Sequence, residues 1–251
     1  MKYIESLKNP QVKQWKKLLT KKEREKTNTY IVEGFHLVEE ALKNKENIVE
    51  VIYSEEIDLP GHWDVSNLSI TKITPDISKT ISDTETTQGV FAICRMIQPS
   101  LSILKGKSYI LIDAVQDPGN IGTIIRTSDA AGIDTVILGQ GTVDVYNPKV
   151  LRSAQGSHFH INLVFGNLEE WIQKFDQEQI PVYGTALENG IPFKQVQPQE
   201  SFALMVGNEG SGVSKNLLSL TKQNLYIPIH GQAESLNVAV AAGILMYYLK
   251  G

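Results

Sequence analysis

A continuous run of apolar residues near the middle of the chain, 108–112, restricts the fold more than any other feature. An uninterrupted apolar strand is typical of a parallel sheet that is covered on both faces, whereas half-exposed strands alternate polar and apolar residues. A polar loop follows over 113–122, then a predicted helix over 123–131 and a second apolar strand over 135–138. This order predicts an α/β fold with a parallel sheet, in which ligands gather at the carboxyl ends of the strands.

Further strands and helices alternate on both sides of this unit. In the first part of the chain we predict strands over 30–32, 48–53, 67–71 and 89–94. We predict helices there over 1–27, broken near the start by Asn9-Pro10, and over 35–44 and 73–82. In the second part we predict strands over 160–164, 182–186 and 202–206 and a helix over 171–179. A chain of 251 residues, of which 41% are hydrophobic, can form two modest α/β domains. Turn-forming residues favour a small domain over 1–100, a linker over 101–107 and a second domain over 108–251.

The last apolar segment of the chain, 226–249, predicts a short strand, a polar turn and an apolar helix in that order. Pro228 lacks a backbone N–H, so the strand is expected to end near it. Ser235 is the predicted N-cap, because its hydroxyl can accept a hydrogen bond from the first turn of the helix. Glu234 and Asn237 add polar groups where free helix N–H groups can hold a ligand. A capped helix without a ligand remains the alternative, since this helix is apolar nearly all round and is expected to be buried.

Charge is distributed unevenly along the chain, which has a net charge of −4. Residues 1–26 carry eight Lys and one Arg against three Glu, whereas residues 107–251 carry nine basic and 13 acidic residues. Four apolar residues of the first segment recur at helical spacing, so its lysines are expected to face solvent: Val12, Trp15, Leu18 and Leu19. A basic face on an otherwise acidic protein favours a polyanionic partner, and a solvated Lys-rich helix is the alternative.

Metal and membrane partners are not indicated. The single cysteine, Cys94, cannot form a disulfide within the chain, and the five His lack metal-ligand spacing. The N-terminus has no apolar segment of the signal-peptide type, and the longest apolar run, 238–249, is too short to span a bilayer. We therefore expect a cytoplasmic protein that binds neither a metal nor a membrane.

Three segments together form a more specific pattern than any one alone. The first is Asn-Ile-Gly-Thr-Ile-Ile-Arg-Thr over 120–127. The second is Val-Gly-Asn-Glu-Gly over 206–210, where a predicted strand runs into a glycine-rich loop whose backbone a ligand can approach closely. The third is Ile-Pro-Ile over 227–229, leading into Ser-Leu-Asn-Val-Ala over 235–239. In this order they resemble the three signature motifs of the SpoU family of RNA 2′-O-ribose methyltransferases, which belongs to the SPOUT superfamily.

The resemblance covers 108–251 with all three motifs. It extends more loosely to 1–95, where the segments 9–10, 33–37 and 88–90 look like the L30e-like substrate-binding domain that many members carry. It implies an S-adenosylmethionine-dependent RNA methyltransferase that works as a homodimer, with its active site at the subunit interface. It also implies a C-terminal α/β domain whose chain threads into a trefoil knot, a rare arrangement. The basic first segment and the L30e-like domain look more like the ribosomal RNA enzymes of the family than its compact transfer RNA enzymes. The resemblance therefore favours ribosomal RNA as the substrate, with transfer RNA as the alternative.

The resemblance also implies which residues form the site. The cofactor would contact the backbone at Gly207, Ile227 and Leu236. The positions that match those associated with catalysis or its support are Arg126, Asn120, Glu209, Ser235 and Asn237. For Glu209 an alternative stays open, in which the carboxylate only binds loop N–H groups.

The chemistry of the reaction fits an arginine in a supporting role. A ribose 2′-hydroxyl is a poor nucleophile, so it must be oriented and must lose its proton as it attacks the methyl group of a sulfonium. A guanidinium is very hard to deprotonate, which argues against Arg126 as the base. Arg126 is better suited to position a phosphate and to stabilise developing negative charge.

Two other functions share some of these features. A dinucleotide-dependent oxidoreductase also has strand–loop–helix units, but no Gly-x-Gly-x-x-Gly follows the strand at 108–112. An RNA-binding protein that has lost catalysis would keep the fold, and the presence of Asn120, Arg126, Glu209 and Asn237 argues against it.

Overall fold

The computed structural model of the protein describes residues 2–97 and 106–251. Contacts between Cα atoms divide the chain into two compact units. The first consists of Met1–Ile97 with Asp144–Phe159, and the second of Gln98–Val143 with His160–Gly251. Of the predicted linker, 101–107, only the last two residues lie within the described part of the chain, and the domain limits 1–100 and 108–251 stay a prediction.

Within the described residues the secondary structure follows the alternating order that the sequence predicts. In chain order the strands are β1 Lys2–Ile4, β2 Thr29–Glu33, β3 Ile48–Ser54, β4 Ile70–Ile73, β5 Val90–Arg95, β6 Ser108–Asp113, β7 Thr135–Leu138, β8 Asn162–Phe165, β9 Val182–Thr185, β10 Gly190–Pro192, β11 Phe202–Gly207 and β12 Gln223–Tyr226. The α-helices are α1 Pro10–Lys17, α2 Lys21–Thr27, α3 Phe35–Leu42, α4 Pro75–Ile81, α5 Pro118–Ala130, α6 Pro148–Ala154, α7 Leu168–Gln177, α8 Lys215–Ser219 and α9 Val238–Lys250. None of the helices in this part of the chain is long and apolar enough to cross a membrane.

The sheet of the first unit has the strand order β1-β4-β3-β5-β2. Strands β1, β4 and β3 are parallel, and β5 runs antiparallel to both β3 and β2. Val12, Trp15 and Leu18 are buried in the hydrophobic core of this unit, together with Ile52 and Phe91 of the sheet. The predicted apolar face of the first segment is therefore confirmed, and its lysines are exposed: Lys8, Lys13, Lys16, Lys17, Lys21 and Lys22.

The helix predicted over 1–27, with a break near Asn9-Pro10, is confirmed at that break but does not continue unbroken to residue 27. Asn9 caps α1 by accepting a hydrogen bond from the backbone N–H of Gln11, at 2.8 Å, and Pro10 occupies the first turn. The helix ends at Lys17, where the Thr20 hydroxyl donates to the Lys17 carbonyl at 2.8 Å before α2 begins. Strand β1 precedes α1 and pairs with β4. The periodic stripe therefore covers α1 and the turn after it, and α2 lies beyond the stripe.

The segment Asp144–Phe159 is held in the first unit by a buried ion pair. The Arg24 guanidinium donates to one oxygen of Asp144 at 2.6 and 3.0 Å and to the Leu18 carbonyl at 2.7 Å, with Arg24 only 2% exposed. The ring centroids of Tyr30, in β2, and Tyr146, in this segment, lie 4.5 Å apart. The ion pair and the aromatic contact both join residues more than a hundred positions apart in the chain, so they fix a non-local arrangement.

The sheet of the second unit has the order β10-β12-β9-β11-β6-β7-β8, and every neighbouring pair of these described strands is parallel. Strands β6 and β11 lie at its centre, where Ser108 pairs with Phe202 and Asp113 with Gly207. The predicted parallel sheet is confirmed, and its strands all end at the same edge. We call this the carboxyl edge. The trefoil knot stays a prediction.

Two predicted boundaries near the carboxyl edge are wrong. Helix α5 begins at Pro118 rather than at 123, because Asp117 caps it with a 2.9 Å hydrogen bond from the Asn120 N–H. Strand β12 ends at Tyr226, so the predicted strand residues 227–229 follow the strand instead of forming it. The first change lengthens α5 at its N-terminus, and the second lengthens the loop that follows β12.

The predicted N-cap of the last helix is also wrong. Helix α9 begins at Val238, and its N-cap is Asn237 rather than Ser235. The Asn237 Oδ1 accepts hydrogen bonds from the N–H groups of Ala239 at 2.9 Å and Val240 at 3.3 Å. Ser235 therefore lies in the loop before the helix, two residues from its cap.

Candidate functional site

The carboxylate of Glu209 is the centre of a hydrogen-bond network at the carboxyl edge. Its Oε1 accepts from the Asp117 N–H at 3.0 Å and from the Asn120 side-chain amide at 3.0 Å, and its Oε2 accepts from the Gln116 N–H at 3.2 Å. These donors come from the loop after β6 and from the first turn of α5, whereas Glu209 follows β11. The carboxylate thus joins the ends of the two central strands.

Asn237 extends this network to the start of α9. Its Oδ1 caps the helix, so its amide nitrogen must be the donor to Asn120 Oδ1, at 2.8 Å. Asn120 in turn must donate through its amide nitrogen to Glu209. Each bond fixes the orientation of the next amide, which makes the chain Asn237–Asn120–Glu209 directional. We call these three residues the polar triad.

The protonation of Glu209 follows from these contacts. Burial is the largest single effect and raises the pKa of its carboxyl, but the hydrogen bonds from Asn120 and from nearby backbone N–H groups together outweigh it. The pKa of Glu209 is therefore lowered from its usual value, and the carboxylate is charged at neutral pH. A charged acceptor with this many donors is suited to organising the loop after β6. The contacts fit the interpretation of Glu209 as a loop-binding carboxylate.

The loop that carries Glu209 doubles back on the end of β11. The Asn208 and Gly212 backbones bond to each other at 2.9 and 3.0 Å, and the Asn208 side chain donates to the Ala114 carbonyl at 2.9 Å. A Cβ atom at Gly207 would lie 2.1 Å from the Val213 nitrogen, so a larger residue could not be accommodated there. Gly207 is thus required by the close approach of two backbone segments.

A cavity of about 530 Å³ lies beside the polar triad, beyond the ends of β9 and β12. Ile227, Leu236 and Ser235 are among its lining residues, which also include the carboxylate of Glu234. Gly207, the third predicted cofactor residue, is not among the residues that line it. Its volume is in the range typical of small-molecule sites, which span roughly 300–1,000 Å³.

Arg126 lies apart from the polar triad. It is six residues after Asn120 in α5, which separates them by about 9 Å along the helix axis. Its side chain is exposed and has no hydrogen-bond or ion-pair partner among residues 2–97 and 106–251. The guanidinium is therefore available to a ligand or to another chain, and it does not contribute to the triad of its own chain.

The structure brings together three of the five residues that the sequence predicts for catalysis: Asn120, Glu209 and Asn237. Ser235 lies at the neighbouring cavity instead. Sequence reasoning missed Asp117, which caps α5, and Asn208, which ties the glycine-rich loop to the loop after β6. The Asp-Pro pair at 117–118 is a recognisable helix start. The described residues contain no group of three or more His, Cys, Asp or Glu placed to hold a metal ion.

Two family models match the chain. Residues 107–247 match the SpoU rRNA Methylase family, and residues 9–92 match the MRM3-like substrate binding domain. The chain is also 53% identical to the 23S rRNA (guanosine(2553)-2′-O)-methyltransferase RlmP of Bacillus subtilis (strain 168), over 100% of both chains.

Solved structures give the same result. An AdoMet-bound rRNA methyltransferase from Sinorhizobium meliloti is 30% identical, with a TM-score of 0.88 over 99% of this chain and 97% of that one. The SpoU methyltransferase AviRb from Streptomyces viridochromogenes, in complex with AdoMet, is 26% identical, with a TM-score of 0.84 over 96% of this chain and 97% of that one.

Proposed function

The chain belongs to the SpoU rRNA methylase family, and from this we propose that it transfers a methyl group from S-adenosylmethionine to a ribose 2′-hydroxyl of ribosomal RNA. The observation that carries the proposal is the match, at 53% identity over the full length, to a relative named as a 23S rRNA 2′-O-methyltransferase. The intact polar triad supports catalysis over a role in RNA binding alone.

The cavity beyond β9 and β12 is suited to the cofactor. Its apolar walls, which include Ile227 and Leu236, can cover an adenine ring, and Glu234 supplies charge opposite to that of a sulfonium or ammonium group. The sulfonium supplies a methyl group with a good leaving group already in place. We propose that Gly207 contributes backbone atoms beside this cavity, since its loop lies at the adjoining strand end.

The residues of the triad have a positioning role in this proposal. They fix the starts of α5 and α9, and with them the N–H groups and amides that face the carboxyl edge. Each amide nitrogen of Asn120 and Asn237 carries two hydrogens, and the triad uses one of each. The other hydrogen can orient a ribose hydroxyl. Arg126 would bind the neighbouring phosphate and stabilise negative charge as the 2′-oxygen attacks.

We propose that the active site is completed in a homodimer. Helix α9 exposes an apolar stripe at a spacing of four and three residues: Val240 is 52% exposed, Ile244 38% and Tyr247 55%. Three such residues on one helix face are suited to burial against a second copy. Arg126 lies on α5, which packs against α9 where Ser128 Oγ lies 3.3 Å from Met246 Sδ. If a second copy packed on this stripe, Arg126 of each copy would lie near the dimer interface.

We propose that residues 1–100 form the RNA-binding domain. Five exposed lysines between residues 8 and 22 have neither an ion-pair partner nor a side-chain hydrogen bond among the described residues: Lys8, Lys13, Lys16, Lys17 and Lys22. Their charge is available to phosphates, which release counterions on binding. This domain and the named relative both favour ribosomal RNA over transfer RNA as the substrate, and such a substrate implies a cytoplasmic location.

Methyl transfer tests the proposal. Purified protein is incubated with unmodified 23S rRNA and cofactor labelled in the methyl group, and label in the RNA is counted. We expect transfer by the wild type and a loss on the order of a hundredfold or more in Arg126→Ala, with the cofactor affinity unchanged. Lys215→Ala, which removes an exposed cation elsewhere in the same unit, is the matched control. Normal turnover in Arg126→Ala would rule out the role given to Arg126, and no transfer by the wild type would rule out the function.

A further inference from the structure

A second cavity, of about 470 Å³, opens at the carboxyl edge beyond the ends of β6, β7 and β8. Its polar lining includes Asp113, Gln140, Asn167 and Glu169, and Phe165 forms an aromatic wall. The function proposed above uses none of these side chains. We call it the β8 cavity.

The loops around the β8 cavity are shaped by two close approaches. A Cβ atom at Gly139 would lie 2.7 Å from Leu168 Cδ1 and 2.9 Å from the Ile112 carbonyl oxygen. A Cβ atom at Gly166 would lie 2.5 Å from Trp171 Nε1. Both loops are therefore drawn tightly against α7, and Phe165, the last residue of β8, lines the cavity.

Phe165 is exposed to an unusual degree for its type. The side chain is 46% exposed, although buried Leu138, Leu168 and Leu217 surround the base of the same cavity. A half-exposed aromatic face beside apolar walls offers a stacking surface for a flat ring. Every nucleobase has such a ring, and stacking on an aromatic side chain is a general means of holding an unpaired base.

The charges of the β8 cavity favour a base over a phosphate. Its lining contains the carboxylates of Asp113 and Glu169 and no Lys or Arg. Asp113 Oδ2 accepts from the Ser214 N–H at 2.7 Å, and Glu169 Oε1 accepts from the Asn216 amide. Each carboxylate keeps further acceptor capacity, because an ionised carboxylate has about four lone-pair sites. A ligand that offers N–H donors is thus favoured, and guanine presents two on one edge.

The β8 cavity adjoins the polar triad along the sheet. Asp113 is the last residue of β6 and pairs with Gly207 of β11, two residues before Glu209. The proposed cofactor cavity lies at the ends of β9 and β12, on the other side of β11. The triad therefore lies between two cavities at one edge, which is the arrangement expected if one takes the cofactor and the other takes part of the substrate.

We propose that the β8 cavity binds a guanine base of the RNA, stacked on Phe165 and with its N–H donors on the carboxylate of Glu169. The inference rests on the proposed function, because it assumes that RNA is the substrate. It adds a site that reads a base beside the site that holds the ribose. Since guanine alone has adjacent imino and amino donors, the cavity would select the nucleotide as well as position it.

RNA binding tests the inference independently of methyl transfer. The affinity of each variant for unmodified 23S rRNA transcript is measured by filter binding at one salt concentration. We expect Phe165→Ala to weaken binding about tenfold and Phe165→Tyr to retain it, because stacking needs only the ring. Leu220→Ala is the matched control: Leu220 is 43% exposed in the same unit but lies at the opposite edge of the sheet. Equal affinities for Phe165→Ala and Leu220→Ala would overturn the inference.

A second measurement tests the choice of base. The transcript segment that the wild type protects from ribonuclease is synthesised with inosine, which lacks the 2-amino group, at one guanosine at a time. At one position inosine should weaken binding to the wild type severalfold and have no further effect in Glu169→Ala, since both changes remove the same contact. Additive losses at every position would overturn the role of Glu169. Cofactor affinity and methyl transfer are measured in parallel. A wild type that binds RNA but transfers no methyl group would count against the proposed function. The binding results for Phe165 and Glu169 would still decide the inference about the β8 cavity.

Discussion

Replacing Asn237 should separate its role as a helix cap from its role in the polar triad. In Asn237→Ala the N–H groups of Ala239 and Val240 lose their acceptor, which typically costs about 1 kcal/mol of stability. The 2.8 Å bond to Asn120 is lost as well, at a cost of about 1 kcal/mol for a partly exposed side-chain hydrogen bond. The free energy of unfolding should therefore fall by about 2 kcal/mol in total, which for a chain of this size lowers Tm by about 4–8 °C.

Asn237→Asp provides the internal comparison. A carboxylate can still cap α9, and its charge is favourable at a helix N-terminus by about 0.5 kcal/mol. It cannot donate to Asn120, so the triad bond is still lost, and the net loss should be about 0.5 kcal/mol. Asn167→Ala is the matched control for the cap alone, because Asn167 caps α7 through a single bond to the Glu169 N–H at 2.9 Å.

The assay is urea unfolding at one fixed protein concentration, with the slope compared between variants to check that the unfolded state is unchanged. The expected order of stability is wild type, Asn237→Asp, Asn167→Ala and Asn237→Ala. If Asn237→Ala costs no more than Asn167→Ala, the bond to Asn120 contributes nothing, and the reasoning about the triad is refuted.

Three further predictions follow from the same structure. Ile244→Lys with Tyr247→Lys should convert a dimer to a monomer in light scattering, because two charges would enter the proposed apolar interface; a mass unchanged from that of the wild type would contradict the dimer. Lys13→Ala with Lys16→Ala should reduce the slope of log affinity for RNA against log salt by about 1.5, since each phosphate contact contributes about 0.7–0.9; an unchanged slope would mean that these lysines do not contact phosphate. Stability should fall as the pH drops through the lowered pKa of Glu209, since the folded state favours its charged form, and Glu209→Gln should lose less stability over that acid range than the wild type; identical acid titrations would contradict the contacts of Glu209.

The parallel sheet was predictable because its strands are buried on both faces. The runs at β6, β7 and β11 are apolar without interruption, and β7 spans Thr135–Leu138 as predicted. Local hydrophobic pattern determines such strands, so the sequence is sufficient to find them. The edge strands β1 and β10 have only three residues each and follow no such pattern, and they were missed.

The position of the last helix cap depends on contacts that the sequence does not reveal. Ser235 and Asn237 are both good N-cap residues, so local preference does not choose between them. Asn237 is selected because its amide also bonds to Asn120, 117 residues earlier in the chain. A tertiary contact therefore determines which of these two positions, two residues apart, caps the helix.

What covers each side of α9 was beyond the sequence for a related reason. The spacing of apolar residues along a helix is the same whether they pack in the core of their own chain or against a second chain. Ala242, Leu245 and Met246 are buried, while Val240 and Tyr247 are more than half exposed. The sequence pattern indicates that this helix is covered on several sides, and it does not indicate by what.

The grouping of Asp144–Phe159 with the first unit was also beyond local reasoning. The segment lies between β7 and β8 in the chain, and nothing in its composition separates it from its neighbours. The buried pair of Arg24 and Asp144 holds it, and neither residue is unusual by itself. A deletion of residues 1–100 would also remove the partners of this segment, so point substitutions of lysine are the sharper test of RNA binding.

Mapping ribose methylation in ribosomal RNA tests the central claim most directly. RNA is taken from cells with the gene intact, deleted, and restored with either the wild type or Arg126→Ala, and 2′-O-methyl groups in 23S rRNA are located by mass spectrometry of nuclease fragments. We expect one ribose methyl group to be lost on deletion, to return with the wild type and to stay absent with Arg126→Ala. An identical methylation pattern in all four RNAs, or the loss of a methyl group from a base instead of a ribose, would contradict the account.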